Sequence, residues 1–231
     1  MSEERARPLV LFGCGKIAEV VLHVLRHRGD REVVACSVDR DFLPGPTWKG
    51  LPTVAFDEVA ERHPPATHDA FVALGYQDMN GLRAARCAAL KAMGYRLPSV
   101  VHPDAGLPSD TVHGDNCFFM DRVLVHPCVR FGDDVFVWSG AMVGHHSQVG
   151  SHCWLTSCAN LAGSVTVGEQ GFFAVNATVT QSVTLGARVF VGANALVTRD
   201  AADDQVYLAE SSKPFRLDSR QFLRMSRFDE V

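Results

Sequence analysis

The sequence predicts a Rossmann-like α/β domain over residues 1–100, a parallel β-helix over residues 101–208 and a tail over residues 209–231. Two observations support this division. The second half of the chain repeats with a period of six residues nested in eighteen, which is typical of a parallel β-helix. The first hundred residues alternate short apolar runs with helical patterns, and a glycine-rich turn follows the first run.

The repeat is regular enough to predict which side chains point inward. Every sixth residue from Phe119 to Val197 is apolar, fourteen in succession, which would be a rare coincidence in an ordinary β-sandwich. Each hexapeptide supplies one strand and one turn, and three of them close a triangular coil, so the sixth residue faces the interior. With about 4.8 Å between coils, five coils give a rod roughly 24 Å long.

Glycines mark one position of each coil at a spacing of 18 residues: Gly114, Gly132, Gly150, Gly168 and Gly186. We expect these glycines to adopt corner backbone angles that other residues resist. Residues 99–110, which precede the first of them and contain two prolines, are expected to form a linker into the rod.

The glycine-rich turn near the N-terminus matches G-x-G-x-x-A between a strand and a helix. Backbone N–H groups of such a turn can bind phosphate, and Asp39 can accept from a ribose hydroxyl; the alternative is a tight structural turn. Because a dinucleotide fold needs two halves of this kind, the space before the repeat suits a mononucleotide, such as that of an activated sugar. The predicted elements are strands over residues 8–12, 32–38 and 70–74 and helices over residues 16–27 and 81–93. The candidate substrate-binding residues are Gly13, Cys14, Gly15, Lys16, Asp39, Arg40, Gly75 and Trp138.

Composition argues against several classes of protein. The formal net charge of −4 does not suit a dedicated nucleic-acid-binding protein, which usually carries a basic stripe. No apolar run approaches the ~20 residues that cross a bilayer, and the start MSEERARP lacks a signal-peptide core, so we expect a cytoplasmic protein without membrane insertion. The seven cysteines form no C-x-x-C pair, and we expect reduced thiols that serve packing.

One segment of the repeat has the residue types of an acyl-transfer site: Val143-Gly144-His145-His146-Ser147-Gln148-Val149-Gly150. With the glycine-rich domain before it, the chain resembles, up to about Leu208, the bacterial hexapeptide-repeat sugar acyltransferases. These include sialic acid O-acetyltransferases and N-acetyltransferases of UDP- and GDP-linked 4-amino sugars. The resemblance implies a left-handed β-helix, acetyl-CoA as acyl donor, a sugar amine or hydroxyl as acceptor, no metal and a homotrimer.

The resemblance assigns His145 as the general base. In the family an acidic residue follows the base and orients it, and His146 stands in that place here. An imidazole can exchange a hydrogen bond but cannot stabilise an imidazolium as a carboxylate does. Gly163 lies 18 residues further on, one coil above His145 and about 5 Å away. The resemblance makes its N–H a donor to the thioester carbonyl, so that base and donor flank the reacting carbon.

Further candidate contacts to CoA, besides Gly163, are Asn176, Ala193, Asn194 and Lys213. Asn176 and Asn194 share one column of the rod and can either meet CoA or stiffen a turn. The chain departs from the family pattern at two places. Relatives commonly carry Asn where this chain has Trp138, and they end the rod with a G-x-P-A-type loop where this chain reads AESSKP.

Three other functions stay open. In γ-class carbonic anhydrases, histidines of neighbouring coils hold zinc, and His126, His145, His146 and His152 are the candidates here, although the 36-residue spacing of that family is missing. A non-catalytic nucleotide-sugar sensor could keep the same fold. An NAD-dependent enzyme would need the second half-fold. The sequence does not fix the sugar, its nucleotide, the acyl group or the choice between CoA and acyl-carrier protein.

Overall fold

The structure, a computed structural model, describes residues 6–226 of the chain. Its first part is an α/β domain. The strands are β1 (Leu9–Phe12), β2 (Val33–Val38), β3 (Thr47–Trp48), β4 (Leu51–Ala55) and β5 (Asp69–Val72), and the helices are α1 (Lys16–Arg28), α2 (Val59–Arg62) and α3 (Gly81–Ala92). Short 3₁₀ turns at Arg40–Phe42 and Phe56–Glu58 follow β2 and β4.

The sheet has the order β3-β4-β2-β1-β5, in which all pairs are parallel except that of β3 with β4. The three predicted strands and two predicted helices are confirmed. The short pair β3 and β4 was not predicted, because Gly50 and Pro52 break its apolar pattern. After α3 the chain enters the rod directly, so the sheet is one half of a dinucleotide fold.

Helix α1 begins after Gly15 and ends where Gly29 adopts a left-handed φ of 65°, which lets the Gly29 N–H donate to the Leu25 carbonyl. Its buried face contains the residues that the helical period predicts. These are Ala18, Val21, Leu22 and Leu25, together with Val24.

The second part is a rod of two-residue parallel strands on three faces. Face 1 holds β6 (Val100–Val101), β7 (Phe118–Phe119), β10 (Phe136–Val137), β13 (Trp154–Leu155), β16 (Phe172–Phe173), β19 (Phe190–Val191) and β21 (Val206–Tyr207). Face 2 holds β8 (Leu124–Val125), β11 (Met142–Val143), β14 (Asn160–Leu161), β17 (Thr178–Val179) and β20 (Leu196–Val197). Face 3 holds β9 (Arg130–Phe131), β12 (Gln148–Val149), β15 (Thr166–Val167) and β18 (Thr184–Leu185). Helix α4 (Ser219–Ser226) follows the rod.

The interior of the rod is the predicted apolar column. All fourteen sixth-position residues are buried, and none is more than 4 % exposed. They stack with a register of 18 residues, as in the pairing of Val143 with Leu161. The predicted fold, an α/β domain followed by a left-handed parallel β-helix, is confirmed.

The first coil of the rod includes the segment that was predicted to be a linker. Residues 99–110 are not a linker, because Val100 pairs with Phe118 and Gly106 forms a bridge to Leu124. The in-phase residues Val101 and Leu107 pack against the rod core. The polar His113 interrupts the apolar series, so the six-residue pattern did not predict this first coil. The rod therefore has six coils instead of five.

The reason predicted for the recurring glycines is wrong. None of the five has a positive φ; the left-handed residues lie two positions further on, as at Asn116 (53°) and His152 (64°). The glycines are needed for close stacking of the coils. A Cβ at Gly150 would lie 2.7 Å from the backbone carbonyl carbon of Gly168, and one at Gly168 would lie 2.6 Å from the amide nitrogen of Ala187.

The seven cysteines are free thiols, but they do not all serve packing. Cys36, Cys117 and Cys153 are buried, and burial raises the pKa of each thiol to about 12. Their thiolates are therefore scarce at neutral pH, as expected of packing residues. The packing role predicted for Cys128 and Cys158 is wrong, because both are exposed at left-handed turn positions of the rod.

The α/β domain packs on face 1 of the rod. Strand β1 and helix α1 share one apolar core with the outward side chains of four successive rod strands. These side chains are aromatic and at most 6 % exposed: Phe118, Phe136, Trp154 and Phe172. The Asn116 side chain also hydrogen-bonds both the N–H and the carbonyl of Val72, at 2.8 and 3.1 Å, along the free edge of β5. This interface fixes the orientation of the domain on the rod.

Candidate active site

His145 lies in the turn between face 2 and face 3, and the register of the rod puts Gly163 one coil above it, as predicted. The imidazole packs directly on this glycine. A Cβ at Gly163 would lie 2.7 Å from His145 Nε2 and 2.6 Å from Cε1, so only glycine leaves room for the ring. The Ser164 N–H donates to the His145 carbonyl at 2.7 Å and joins the two turns.

The Gly163 N–H is available to a bound molecule. The neighbouring Ala162 and Ser164 N–H groups donate to backbone carbonyls at 3.0 and 2.7 Å. The Gly163 N–H, in contrast, has no acceptor among residues 6–226. An imidazole nitrogen and a free N–H on the same coil edge are the two groups that acyl transfer needs, one to take a proton and one to bind an oxyanion.

His146 contacts the other side of the His145 ring. The two Nδ1 atoms are 3.2 Å apart, and the rings meet edge to face at 82°. Both side chains are exposed in the single chain. The residue that stands in place of the family's carboxylate therefore lies within hydrogen-bond distance of the candidate base.

The glycine-rich turn opens onto a pocket of about 250 Å³ at the carboxyl ends of β1 and β2. Four of the candidate substrate-binding residues line it: Gly13, Cys14, Gly15 and Asp39. Gly13 has a φ of 124°, and a Cβ there would lie 2.7 Å from the Ala73 carbonyl oxygen, whereas a Cβ at Gly15 would meet open space. The first glycine thus forms the turn, and the second leaves its backbone open to a ligand.

A second cavity of about 540 Å³ adjoins the first, and both are lined by Gly15, Leu74 and Gln77. The predicted residues Lys16 and Gly75 line this second cavity. A phosphate chain leaving the first pocket past the start of α1 would enter it.

Sequence reasoning missed Arg86, which lines the first pocket from α3. Its guanidinium bonds the Asp39 carboxylate at 2.7 Å and lies over the Phe12 and Phe56 rings. A ligand in this pocket would therefore contact an Asp39 carboxylate that is already paired with Arg86. The pocket is completed by the exposed ring of Phe42. No spacing rule joins α3 to β2, and Arg86 is one of three basic residues on α3, so the sequence did not single it out.

Two predicted substrate residues lie away from both pockets. Arg40 is held in a surface cluster by Asp57 and Glu58, at 2.8 and 2.7 Å. Trp138 packs at the border of face 1, with its ring centroid 5.5 Å from that of Trp154, and its buried Nε1 has no partner among residues 6–226.

Of the predicted CoA contacts, Gly163 lies on the corner of His145, and the other four lie elsewhere. Asn176 and Asn194 do form one column, with a hydrogen bond of 3.2 Å, and Ala193 is exposed beside them. This column lies at the turn between faces 1 and 2, one face away from the turn that holds His145. Lys213 is exposed beyond the last strand.

The histidines considered as zinc ligands are also separated. His152 lies between faces 3 and 1, where its Nδ1 contacts the Asp134 carboxylate at 2.9 Å. Among residues 6–226 no three His, Cys, Asp or Glu side chains converge as metal ligands. No helix in this part of the chain has the length and apolar character needed to cross a membrane.

No protein-family model matches the sequence, and no curated protein sequence matches it significantly. Solved structures do match. The acetyltransferase domain of PglB from Neisseria gonorrhoeae, also solved with acetyl coenzyme A, is 25% identical with a TM-score of 0.79, over 91% of this chain and 100% of that one. A histidine variant of perosamine N-acetyltransferase from Caulobacter crescentus, in complex with CoA and GDP-perosamine, is 27% identical with a TM-score of 0.67, over 89% and 97%.

WeeI from Acinetobacter baumannii has a TM-score of 0.79 over 90% of this chain and 99% of that one, and at 14% identity it supports the fold alone. The two enzymes named before it share with this chain the whole architecture, from the α/β domain to the end of the rod. Over nearly its whole length the chain is thus similar in structure to bacterial sugar acetyltransferases of the hexapeptide-repeat β-helix type, in agreement with the resemblance that its sequence motif predicted.

Proposed function

We propose that this protein transfers the acetyl group of acetyl-CoA to the amino group of a nucleotide-linked sugar. The contact of His145 Nε2 with Gly163, 2.7 Å from the place of a Cβ, is the observation that carries the proposal. It puts a proton acceptor beside a free backbone N–H. The similar PglB domain binds acetyl-CoA, and the similar perosamine N-acetyltransferase binds CoA and GDP-perosamine. The name of the second enzyme favours an amine over a hydroxyl as acceptor.

The reaction needs no covalent intermediate on the protein. The sugar amine attacks the thioester carbon, and His145 Nε2 takes the proton that the nitrogen loses as the C–N bond forms. The Gly163 N–H donates to the carbonyl oxygen as it becomes negative. The C–S bond then breaks, and the imidazolium returns its proton to the CoA thiolate.

The α/β domain binds the nucleotide in this proposal. Gly13 and Gly15 present backbone to the phosphates, Lys16 supplies a positive charge, and the Asp39–Arg86 pair meets the nucleoside. The free cysteines and the use of acyl-CoA fit a cytoplasmic enzyme. The Asn176 column remains a candidate contact for CoA.

Mass spectrometry tests the function directly. The protein is incubated with acetyl-CoA and, in turn, UDP-, GDP- and dTDP-linked 4-amino sugars. We expect one nucleotide sugar to gain the mass of an acetyl group while free CoA is released in equal amount. If nucleotide sugars bind but none is acetylated, with acetyl-CoA or with acetyl acyl-carrier protein, the protein is a sensor and the proposal is wrong.

We further propose that the active site is shared between copies in a homotrimer. The nucleotide pockets belong to the domain on face 1, whereas His145 lies on the turn between faces 2 and 3, the corner opposite face 1. Face 2 also carries outward apolar side chains, with Leu124 49% and Leu196 59% exposed. A neighbouring rod that covers such side chains would bring its nucleotide pocket to His145.

Complementation between inactive copies tests the shared site. His145→Ala removes the base, and Gly15→Asp puts a carboxylate where the phosphates bind, at a position where a Cβ meets open space. Each variant alone should be inactive. Trimers reassembled from equal amounts of both should recover about one quarter of the wild-type rate, because a quarter of the sites combine two intact halves. Light scattering that gives a monomer, or mixed trimers without activity, would contradict the shared site.

A further inference from the structure

The His146 side chain contacts Nδ1 of His145, the ring nitrogen that does not face Gly163. The two Nδ1 atoms lie 3.2 Å apart, and a hydrogen bond between two imidazole nitrogens needs one proton between them. The Nε2 of His145 faces Gly163 and must be free of a proton to act as a base. The shared proton therefore belongs on His145 Nδ1, and His146 Nδ1 accepts it.

We propose that His146 is a positioning residue which, as a neutral acceptor, fixes the Nδ1–H tautomer of His145. This inference rests on the proposed function and concerns the same site. The tautomer of a histidine is set by the hydrogen bond that its other nitrogen makes. In a Ser-His-Asp triad, a partner that imposes the wrong tautomer costs about 10⁴-fold in kcat. His146 performs the orienting part of the carboxylate's role without its charge.

The backbone holds the pair in place. The His146 N–H donates to the Pro127 carbonyl at 3.2 Å, and the Ser164 N–H holds the His145 carbonyl from the coil above. His146 has a left-handed φ of 61°, a conformation that asparagine and aspartate tolerate well. The same turn position carries Asp134 and Asn176 in other coils, with φ of 58° at both. Asparagine and aspartate therefore fit at position 146 without a change of backbone.

Few other titratable groups stack on the pair. The residues stacked below and above His145 are Pro127 and Gly163, and those stacked on His146 are Cys128 and Ser164. Cys128 is the one titratable side chain among these four, and the Asp110 carboxylate is occupied by the Cys128 N–H at 2.7 Å. Protonation of His146 turns its Nδ1 into a donor, which opposes the tautomer that catalysis needs.

Three variants separate this role from a structural one. His146→Ala removes the acceptor and is expected to lower kcat by about 10²–10³-fold. His146→Asn keeps an uncharged acceptor and should lose less than about tenfold. His146→Asp adds a charge that stabilises the imidazolium, so it should raise the midpoint of the acidic limb of kcat/KM by about one pH unit or more.

Nitrogen NMR of the 15N-histidine-labelled oligomer reads the tautomer without requiring activity. His145→Gln identifies the His145 signals. We expect the Nδ1–H tautomer in the wild type and in His146→Asn, and its loss in His146→Ala. An Nε2–H tautomer in the wild type, or an unchanged kcat and tautomer in His146→Ala, overturns the inference. A wild type that shows the Nδ1–H tautomer but acetylates no sugar contradicts the proposed function and leaves the pairing supported.

Discussion

Replacing His145 by alanine is expected to lower kcat/KM for acetyl transfer by about 10²–10⁴-fold, the range for loss of a general base. The Gly163 N–H and both nucleotide pockets stay intact in this variant, so the Kd of the nucleotide sugar should not change. Release of CoA, followed with a thiol reagent, gives the rate, and titration calorimetry gives the Kd. A fall in rate at constant Kd assigns the loss to chemistry.

The control is another exposed histidine on the same rod. His113 lies between faces 3 and 1, and its side chain contacts the Gly114 carbonyl at 3.0 Å. His113→Ala should keep the full rate and affinity. If His145→Ala retains more than about a tenth of the wild-type rate, another group removes the proton and the mechanism is wrong.

The rod could be predicted from sequence because its side-chain contacts are periodic. Residues 18 apart are neighbours, so one frame fixes the interior column and the stacking of Gly163 on His145. The same arithmetic separates the predicted CoA contact Asn176 from His145. Asn176 is 31 residues from His145, which is not a multiple of 18, so it lies on another corner.

The packing of the two domains also left a signal in the sequence. The positions just before the interior column on face 1 are aromatic in successive coils, as at Phe136, Trp154 and Phe172. Outward positions of an exposed face would be polar, as Arg130 and Gln148 are on face 3. An aromatic column therefore marks the face that another domain covers.

Contacts between residues that lie far apart in the chain had no such period, even within the α/β domain. Arg86 approaches Asp39 from a helix that begins more than forty residues later, and the pairing depends on how α3 packs. The glycine-rich turn was found because its constraint is local: Gly13 must adopt a φ of 124°. Local backbone demands and periodic stacking can be inferred from one sequence, but tertiary ion pairs cannot.

The ion pair with the largest expected effect on stability joins α3 to the rod. Arg83 and Asp134 are both fully buried, with Nε 2.8 Å from Oδ1. The Arg83 guanidinium also donates to the carbonyls of Asp134 and His152, at 3.1 and 3.0 Å, and to Asn80 Oδ1 at 2.9 Å. Removing Arg83 leaves the buried Asp134 carboxylate without its guanidinium, with the Asn116 amide at 2.8 Å and the His152 ring at 2.9 Å as its remaining side-chain partners, a loss of about 3–5 kcal/mol.

Arg83→Met is therefore expected to lower the free energy of unfolding by about 3–5 kcal/mol, measured by urea titration. Adding Asp134→Asn should recover part of the loss, since the unpaired carboxylate disappears and asparagine tolerates the φ of 58° at this position.

Lys91→Met is the matched control: Lys91 is 37% exposed and bonds Asp133 on the same interface, so its loss should cost roughly 1 kcal/mol or less. Equal effects of Arg83→Met and Lys91→Met would show that burial of the pair is not what holds the domains together. Since Arg83 also donates to the Gly75 carbonyl at 3.3 Å, beside the nucleotide pockets, Arg83→Met should weaken nucleotide-sugar binding as well.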